Sequence, residues 1–349
     1  MTGRGAARGR RLAVIVAAGG ARRFSAPLVT VVVTVRGMTG SSMRLIAAHF
    51  GDRPSYFALV VKSMAHNPDV DWLMFTDRPV EHAPANLDVR VCSFADLSAR
   101  IQSCFAFTIA LEDPYKLCDF RPAFGEIFRD ELAGWHFWGH CDLDVIFGRI
   151  RHHLPPEAFE ADKILFQGNF ALYRNTPEAA EWFRHEIPGI SYRRAMTTPA
   201  ATHFDEWAGI YYILRELGVR YWQQDAIFDI RFSRYRTRAE SAHAAPRRYA
   251  WEAGEICEYR VDRGAVERRT ALLIHLQKRS MRSPPDDVLG ADRYWIDANR
   301  FRTQDRVNAW TVRRAMVPTG RESVPLYWRR MRRSLRRRAA RKAARRPAP

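Results

Sequence analysis

The sequence has few cysteines and no long apolar run. Its five cysteines form no C-x-x-C pair; they are Cys92, Cys104, Cys118, Cys141 and Cys257. An odd number without such spacing argues against a disulfide framework and against a structural zinc site, and it indicates a reducing compartment. No apolar run approaches the roughly 18 to 20 residues that a membrane-spanning helix needs. The sequence therefore excludes an integral membrane helix.

Acidic residues are absent from both ends of the chain. Residues 1–42 carry seven arginines, and residues 329–349 carry eleven arginines or lysines, with no acid in either stretch. Of the 56 basic residues, 38 remain in 43–328, against 38 acidic ones. The net charge of +18 therefore belongs to the two ends. A polyanion- or nucleic-acid-binding protein stays open as an alternative, although its folded body should then carry a basic face.

The 349 residues suffice for one large α/β domain or two small ones. Strand-like and helix-like stretches alternate along the first part of the chain, at 43–49, 56–64, 72–76, 89–92 and 94–105. This pattern predicts a βαβαβ opening and a largely parallel sheet, with ligands at the carboxyl ends of its strands. We expect one domain at 43–325, between a basic, poorly ordered extension at 1–42 and a basic tail at 326–349.

The first 42 residues allow three interpretations. A basic start before the apolar run 12–18 is compatible with a secretory signal, which the cysteine content fits poorly. Residues 17–24 resemble the phosphate loop of sugar nucleotidyltransferases, and that activity stays open as an alternative, although nothing later completes the pattern. We favour the third interpretation, in which Met43 is the natural start and residues 1–42 are an upstream extension.

The most informative stretch is 135–148, an apolar run interrupted by Asp142 and Asp144. In a strand, alternate side chains point to the same face, so the two carboxylates converge while Leu143 turns into the core. Mn²⁺ and Mg²⁺ prefer oxygen ligands and are commonly bound by one or two carboxylates plus phosphate oxygens. The pair therefore predicts a metal site suited to a nucleotide diphosphate. The alternative is a solvated strand end.

Residues 114–128 mix bases and an acid with aromatic residues just before the acidic stretch. Lys116 or Arg121 could offset phosphate charge, and Asp119 could bind a base or a ribose hydroxyl. The alternative is an amphipathic helix with an internal salt bridge.

Asp205 and Glu206 lie between His203 and Trp207, at the start of a helical run over 208–217. Either acid could be an N-terminal cap in a favourable position for the helix dipole. Two acids beside His and Trp also suit sugar recognition, because carboxylates bind hydroxyls and an indole can cover a pyranose face. A catalytic or acceptor-binding role stays open for both acids.

A late strand at 271–279 ends in His275, Lys278 and Arg279. A cation site that holds a pyrophosphate needs a further ligand and positive charge to stabilise the leaving diphosphate. His275 could supply the ligand, and Lys278 and Arg279 the charge. The alternative is a structural histidine.

Four ordered segments resemble a bacterial family of glycosyltransferases linked to surface polysaccharide synthesis; they are 75–77, 114–122, 138–144 and 275–279. Such proteins are similar to GT-A enzymes, in which a D-x-D pair holds Mn²⁺ or Mg²⁺ on a nucleotide-sugar diphosphate and a late His often completes the metal shell. The resemblance covers about Met43 to about Met281. It implies a GT-A-like, Rossmann-like fold with a central, mostly parallel sheet.

The resemblance also implies roles for individual residues. It makes Asp142, Asp144 and His275 the metal ligands, and it adds a nucleotide pocket at Asp77, Lys116 and Asp119. Residues 203–206 resemble the His-Asp-Glu segment of retaining blood-group-type transferases, which carries their catalytic Glu, although Phe204 interrupts the match. Glu206, with Asp205 beside it, is thereby the candidate for catalysis.

We therefore expect a metal-dependent glycosyltransferase that uses a nucleotide-diphosphate donor, preferably a UDP-sugar, and a glycan or lipid-linked acceptor in surface polysaccharide biosynthesis. Residues 326–338 place aromatic and aliphatic side chains among dense bases, as interfacial helices do. We expect a cytoplasmic protein attached to the inner face of the plasma membrane. The alternative is a solvated tail that binds polyanions without selectivity.

Overall fold

The computed structural model describes residues 41–231, 235, 245–277 and 279–315. Most of the N-terminal extension, Lys278 and the C-terminal tail lie outside the described residues. The helices are α1 (Phe57–Ala65), α2 (Phe94–Ser103), α3 (Phe124–Ile127), α4 (Pro177–Glu181), α5 (Tyr192–Thr197), α6 (Ile210–Glu216), α7 (Asp286–Gly290) and α8 (Ala309–Ala315). The strands are β1 (Met43–His49), β2 (Asp71–Thr76), β3 (Leu87–Val91), β4 (Phe137–Cys141), β5 (Val145–Phe147), β6 (Lys163–Gln167), β7 (Phe170–Arg174), β8 (Tyr221–Trp222), β9 (Ile227–Asp229), β10 (Arg247–Glu252), β11 (Glu255–Asp262), β12 (Ala265–Ala271), β13 (Leu273–His275), β14 (Arg293–Ile296) and β15 (Phe301–Thr303).

The largest sheet has seven strands in the order β3-β2-β1-β4-β7-β6-β8. Strands β3, β2, β1 and β4 are parallel to one another, and β7 runs antiparallel to both β4 and β6. The predicted α/β class with a mostly parallel sheet is therefore confirmed.

The opening of the chain differs from the predicted βαβαβ order in one connection. Helix α1 links β1 to β2, but no helix lies in the ten residues between β2 and β3. That stretch contains Pro79 and Pro84, which disrupt a helix because proline has no amide hydrogen and a fixed φ. Strands β2 and β3 pair in parallel all the same.

Alternate residues of the large sheet are buried on opposite faces. Leu45 of β1 packs with Leu59 of α1 on one face, and Ile46 packs with Leu97 of α2 on the other. Because both faces of β1 are covered, its side chains are apolar almost continuously instead of alternating with polar ones. The result is a sheet buried on both sides, with its strand ends left for polar residues.

Two smaller sheets complete the described fold. One has three strands in the order β5-β13-β9, and the other has five strands in the order β12-β11-β10-β14-β15. Side chains of β5, β13, β10 and β14 belong to the same apolar cluster as α1, so both smaller sheets pack on the α1 face of the large sheet. No helix within the described ranges is both long and apolar enough to cross a membrane.

Candidate functional site

The acidic pair lies directly after β4, in the bend that leads into β5. Asp142 and Asp144 are both half-buried, and Leu143 between them is 6% exposed and packs in the core. The predicted convergence of the two carboxylates is confirmed. Its geometric cause is this bend, since β4 ends at Cys141.

Strand pairing brings His275 to the acidic pair. Val145, the first residue of β5, pairs with His275, the last residue of β13. The Nε2 atom of His275 lies 3.3 Å from Oδ1 of Asp144. One ligand atom from each of Asp142, Asp144 and His275 lies within 4.8 Å of the others. These three side chains form the cluster we call the acid–histidine site.

The far side of the His275 ring is held by Asp229. Strand β9 pairs with β13 in the register that places Asp229 opposite His275, and Nδ1 of His275 lies 2.8 Å from Oδ1 of Asp229. The Asn169 amide also lies 2.8 Å from Nδ1. Burial disfavours the charged ring, but hydrogen bonds to Asp144 and Asp229 outweigh it and raise the pKa of His275 to about 10. In the metal-free protein, His275 is therefore an imidazolium between two carboxylates.

Arg121 holds Asp142 from the other side. It belongs to the 3₁₀ segment Pro114–Ala123, and its guanidinium donates to the Asp142 carboxylate, to the Gly168 carbonyl and, over 2.9 Å, to Oδ2 of Asp205. Charge-assisted bonds of this kind are strong and fix geometry. Arg121 thus links the acid–histidine site to the segment around Asp205.

These residues line a cavity of about 1230 Å³. Its wall includes all of the acid–histidine site together with Arg121, Asp229 and Arg279. Ligand pockets for drug-sized molecules run to about 300–1,000 Å³. The space is therefore sufficient for a nucleotide sugar and part of an acceptor.

Asp205 and Glu206 also line the cavity, but in different surroundings. Asp205 is buried, and burial raises its pKa to about 7 despite the opposing charge of Arg121. Glu206 is half-buried and packs over Gly168. A Cβ atom added at Gly168 would lie 2.3 Å from Oε1 of Glu206, so the close packing depends on the glycine. Neither acid caps α6, whose N-cap is Gly209. Their catalytic roles stay predictions.

Lys116 and Asp119 form a buried ion pair behind the cavity wall. Nζ of Lys116 lies 2.5 Å from Oδ2 of Asp119, and both side chains are almost fully buried. Asp119 also accepts the amide hydrogens of Thr202 and Phe204, each over 2.8 Å. The internal salt bridge named as the alternative is therefore present, and neither side chain lines the described cavity. A nucleotide-binding role for the pair stays a prediction.

Two of the three remaining candidates, Asp77 and Arg279, belong to the described residues. Asp77 is exposed and does not line it; its Oδ2 accepts from the Gly51 amide over 3.0 Å, which lowers the pKa of Asp77 and fixes the loop after β1. Arg279 lines the cavity, and its guanidinium donates to the Ala298 carbonyl over 3.0 Å and to the Arg231 carbonyl. Lys278 lies outside the described residues.

The donor set of the acid–histidine site fits a hard divalent cation. Two carboxylates and an imidazole are ligands that Mn²⁺ and Mg²⁺ accept. Metal-bound histidines usually donate their other ring hydrogen to a carboxylate, and Asp229 is placed to accept it from Nδ1 of His275. Nε2 of His275 is then the atom that faces a cation between Asp142 and Asp144.

Asp229, which contacts His275, is a candidate site residue that the sequence analysis missed. It ends a three-residue strand, Ile227–Asp229, whose length gives no periodicity to interpret. One feature of the sequence could have identified it: Asp229 follows a short apolar stretch, as Asp142 does. Asp225, which precedes this strand, is exposed and lies outside the cavity wall.

Comparison with known proteins gives one family and a partial structural likeness. The galactosyltransferase LgtC, solved with donor and acceptor sugar analogues, aligns at 14% identity over 54% of this chain and 76% of its own, with a TM-score of 0.33. An active-site mutant of LgtC aligns at 15% identity over 54% and 75%, with a TM-score of 0.32. A search of curated proteins gives no match.

The family match covers most of the chain. Residues 45–305 match a family described as a family of unknown function, DUF6625. The matched range contains every residue of the acid–histidine site and also Asp229. The chain belongs to the DUF6625 family.

Proposed function

We propose that this protein is a metal-dependent glycosyltransferase with a GT-A-like fold. In this proposal it transfers a sugar from a nucleotide-diphosphate donor, preferably a UDP-sugar, to a glycan or a lipid-linked acceptor. The reaction would belong to surface polysaccharide biosynthesis on the cytoplasmic side of the plasma membrane.

The acid–histidine site is the observation that carries the proposal. Asp142, Asp144 and His275 face one cavity, within 4.8 Å of one another, and Asp229 fixes the ring of His275. Three protein ligands leave coordination positions for phosphate oxygens. A bound Mn²⁺ or Mg²⁺ would supply charge neutralisation for the leaving diphosphate.

Positive side chains in the same wall support a diphosphate ligand. Arg53 and Arg279 line the cavity. The Pro79 carbonyl holds Arg53 over 2.9 Å, and the Ala298 carbonyl holds Arg279 over 3.0 Å. Fixed cations aimed at developing negative charge stabilise it without reorganisation.

Aromatic side chains at the rim support a sugar acceptor. Trp207 lines the cavity and is 41% exposed, and its ring packs 4.5 Å from Tyr211 and 5.5 Å from Phe166. An indole held by neighbouring rings presents a rigid apolar face, as sugar rings require. Glu206 adjoins Trp207, where its carboxylate could bind a sugar hydroxyl or take part in transfer.

The proposal predicts metal-dependent binding of a nucleotide. Calorimetric titration with UDP should show binding in Mn²⁺ and none in EDTA. Asp144→Asn should abolish that binding because it removes a charged ligand, while circular dichroism shows an unchanged fold. Asp225→Asn, which changes an exposed carboxylate outside the cavity, is the matched control and should bind UDP as the wild type does.

Equal UDP affinity in Asp144→Asn and wild type would contradict the proposal. A screen of nucleotide sugars with and without Mn²⁺ then identifies the donor.

Two other functions rest on residues outside the described ranges. A sugar nucleotidyltransferase would use the loop at 17–24, and a polyanion- or nucleic-acid-binding protein would use the basic ends. Neither explains why the acid–histidine site lines one cavity together with Arg53 and Arg279.

A further inference from the structure

A second group of potential metal ligands lies on the other side of Arg121 from Asp142. It consists of Cys118 in the 3₁₀ segment, and of His203 and Asp205 in the stretch before α6. The Sγ atom, one imidazole nitrogen and one carboxylate oxygen lie within 4.8 Å of one another. All three side chains line the cavity. We call them the Cys118 cluster.

Asp205 supplies an observation that points to a ligand. Its side chain is 1% exposed, and Oδ2 is engaged by Arg121. Its Oδ1 is buried and has no hydrogen-bond partner among the described residues. A buried carboxylate oxygen without a partner is costly, so native proteins normally give such an atom a hydrogen, a water or a cation. A cation bound by the Cys118 cluster would fill that place.

The backbone explains why His203 is in the cluster. Its φ is +59°, in the left-handed region that few residues other than glycine adopt. The amides on either side of it, those of Thr202 and Phe204, both donate to Asp119, which Lys116 holds in turn. This buried pair keeps His203 in an exposed position beside Cys118 and Asp205.

We propose that Cys118, His203 and Asp205 bind a zinc ion. A thiolate, an imidazole and a carboxylate are the donors that Zn²⁺ accepts together, whereas the acid–histidine site offers no sulfur. The cysteine spacing gave no sign of this site because it uses one cysteine rather than a pair. Three protein ligands leave a fourth position open to water or to a molecule in the cavity.

Zinc at this place would join two segments of the cavity wall. Zn–S bonds of about 2.3 Å and Zn–N bonds of about 2.0–2.1 Å place tetrahedral ligand atoms under roughly 4 Å apart, so the cluster would close slightly on binding. The ring of His203 is exposed and lies edge-on to the ring of Tyr115 at 6.2 Å, and it would shift inward on binding. The 3₁₀ segment and the stretch before α6 would then be held together beside Glu206 and Trp207.

Cobalt(II) absorption tests the proposal on the full-length protein, with excess Mg²⁺ present for the acid–histidine site. One equivalent of Co²⁺ should produce a thiolate-to-metal charge-transfer band, and one equivalent of Zn²⁺ should remove it. Cys118→Ser should abolish the band. His203→Asn, a change at an exposed side chain, should weaken Co²⁺ binding at least about tenfold and leave the fold intact.

Cys104→Ser is the matched control, since this half-buried thiol lies outside the cavity and donates to the Arg100 carbonyl. It should keep the charge-transfer band. No thiolate band in the wild type, or a band that survives Cys118→Ser, would overturn the proposal. The band does not depend on UDP binding, so failure of the zinc proposal is distinguishable from failure of the proposed transferase activity.

Discussion

At the scale of single residues, Asp229 orients the histidine of the acid–histidine site. Its carboxylate accepts from Nδ1 of His275, which leaves Nε2 to face Asp144. Asp229→Asn should therefore weaken Mn²⁺ binding about 10- to 100-fold, a range typical of partners behind metal ligands. Titration of free Mn²⁺ by electron paramagnetic resonance measures this affinity directly.

Asp225→Asn is the control for that substitution and should leave the Mn²⁺ affinity unchanged. Asp229→Glu, which keeps the charge, should restore part of the affinity. Full Mn²⁺ affinity in Asp229→Asn would mean that the ring of His275 needs no partner, and the metal assignment of His275 would lose its main support.

The charge of His275 makes the stability of the metal-free protein depend on pH. The pKa of His275 is raised from 6.5 to about 10, so the folded state holds its proton more tightly than the unfolded chain does. Stability from this group is complete below pH 6.5 and is lost as pH rises through 10. In EDTA, the free energy of unfolding at pH 6 should be higher for the wild type than for His275→Gln by up to about 5 kcal/mol. Urea unfolding should show this difference shrinking towards pH 10, and a constant difference would contradict the assignment.

The sequence predicted that Asp142, Asp144 and His275 come together, as they do in the structure, but it did not predict Asp229 or what holds the three side chains in place. Two carboxylates at a strand end and a late histidine identify candidates, because few other reasons place such groups after apolar strands. The sequence left open that Lys116 or Arg121 offsets phosphate charge, and the structure places Arg121 against Asp142 and Asp205. Contacts between segments this far apart in the chain depend on strand register, which a single sequence does not specify.

At the scale of an element, the 3₁₀ segment is held by the buried pair of Lys116 and Asp119. Lys116→Met should lower the free energy of unfolding by about 3 kcal/mol, because it leaves the Asp119 carboxylate buried without its cation. Arg220→Met is the control: Arg220 pairs with Asp162 over 3.1 Å at the surface, where water screens the pair, so its loss should leave the midpoint of urea unfolding almost unchanged. Urea unfolding measures both.

The same variant separates two roles for Lys116. If the pair is structural, Lys116→Met should bind UDP with Mn²⁺ as the wild type does at a temperature where both are folded. A protein of unchanged stability that fails to bind UDP would instead support the predicted nucleotide pocket.

The elements whose bounds were predicted well are those with buried apolar side chains in a simple pattern. Strands β1 and β2 agree with the prediction within a few residues because they are short, almost continuous apolar runs. Helices α1 and α2 agree because their apolar side chains recur at helical spacing. The five-stranded sheet was not predicted. In β10, Arg247 and Arg248 are fully buried; Arg247 pairs with Glu258, and Arg248 pairs with Asp297 and lies over the ring of Trp295. Hydrophobic periodicity treats such arginines as surface residues and therefore misses the strand.

At the scale of the whole molecule, the excess positive charge belongs to the two ends of the sequence, and the residues of the proposed chemistry belong to the body between them. The body at 43–328 has equal numbers of acidic and basic residues, and residues 329–349 carry eleven bases and no acid. Each Lys or Arg near an anionic membrane contributes roughly 1 kcal/mol, and the effect falls off within a Debye length. The C-terminal tail lies outside the described residues, so the expected membrane attachment rests on its composition alone.

Liposome sedimentation tests that attachment. The full chain should pellet with anionic vesicles at low salt and not with neutral vesicles, and 0.5 M salt should release it because screening shortens the range of the attraction. A chain that ends at Pro325 keeps the neutral body and the seven arginines of residues 1–42 but loses the eleven bases of the tail, so it should pellet far less with anionic vesicles than the full chain does. Equal pelleting of the two chains would exclude the tail as the anchor. Loss of pelleting together with unchanged UDP binding would show that the tail determines where the protein acts while the cavity determines what it binds.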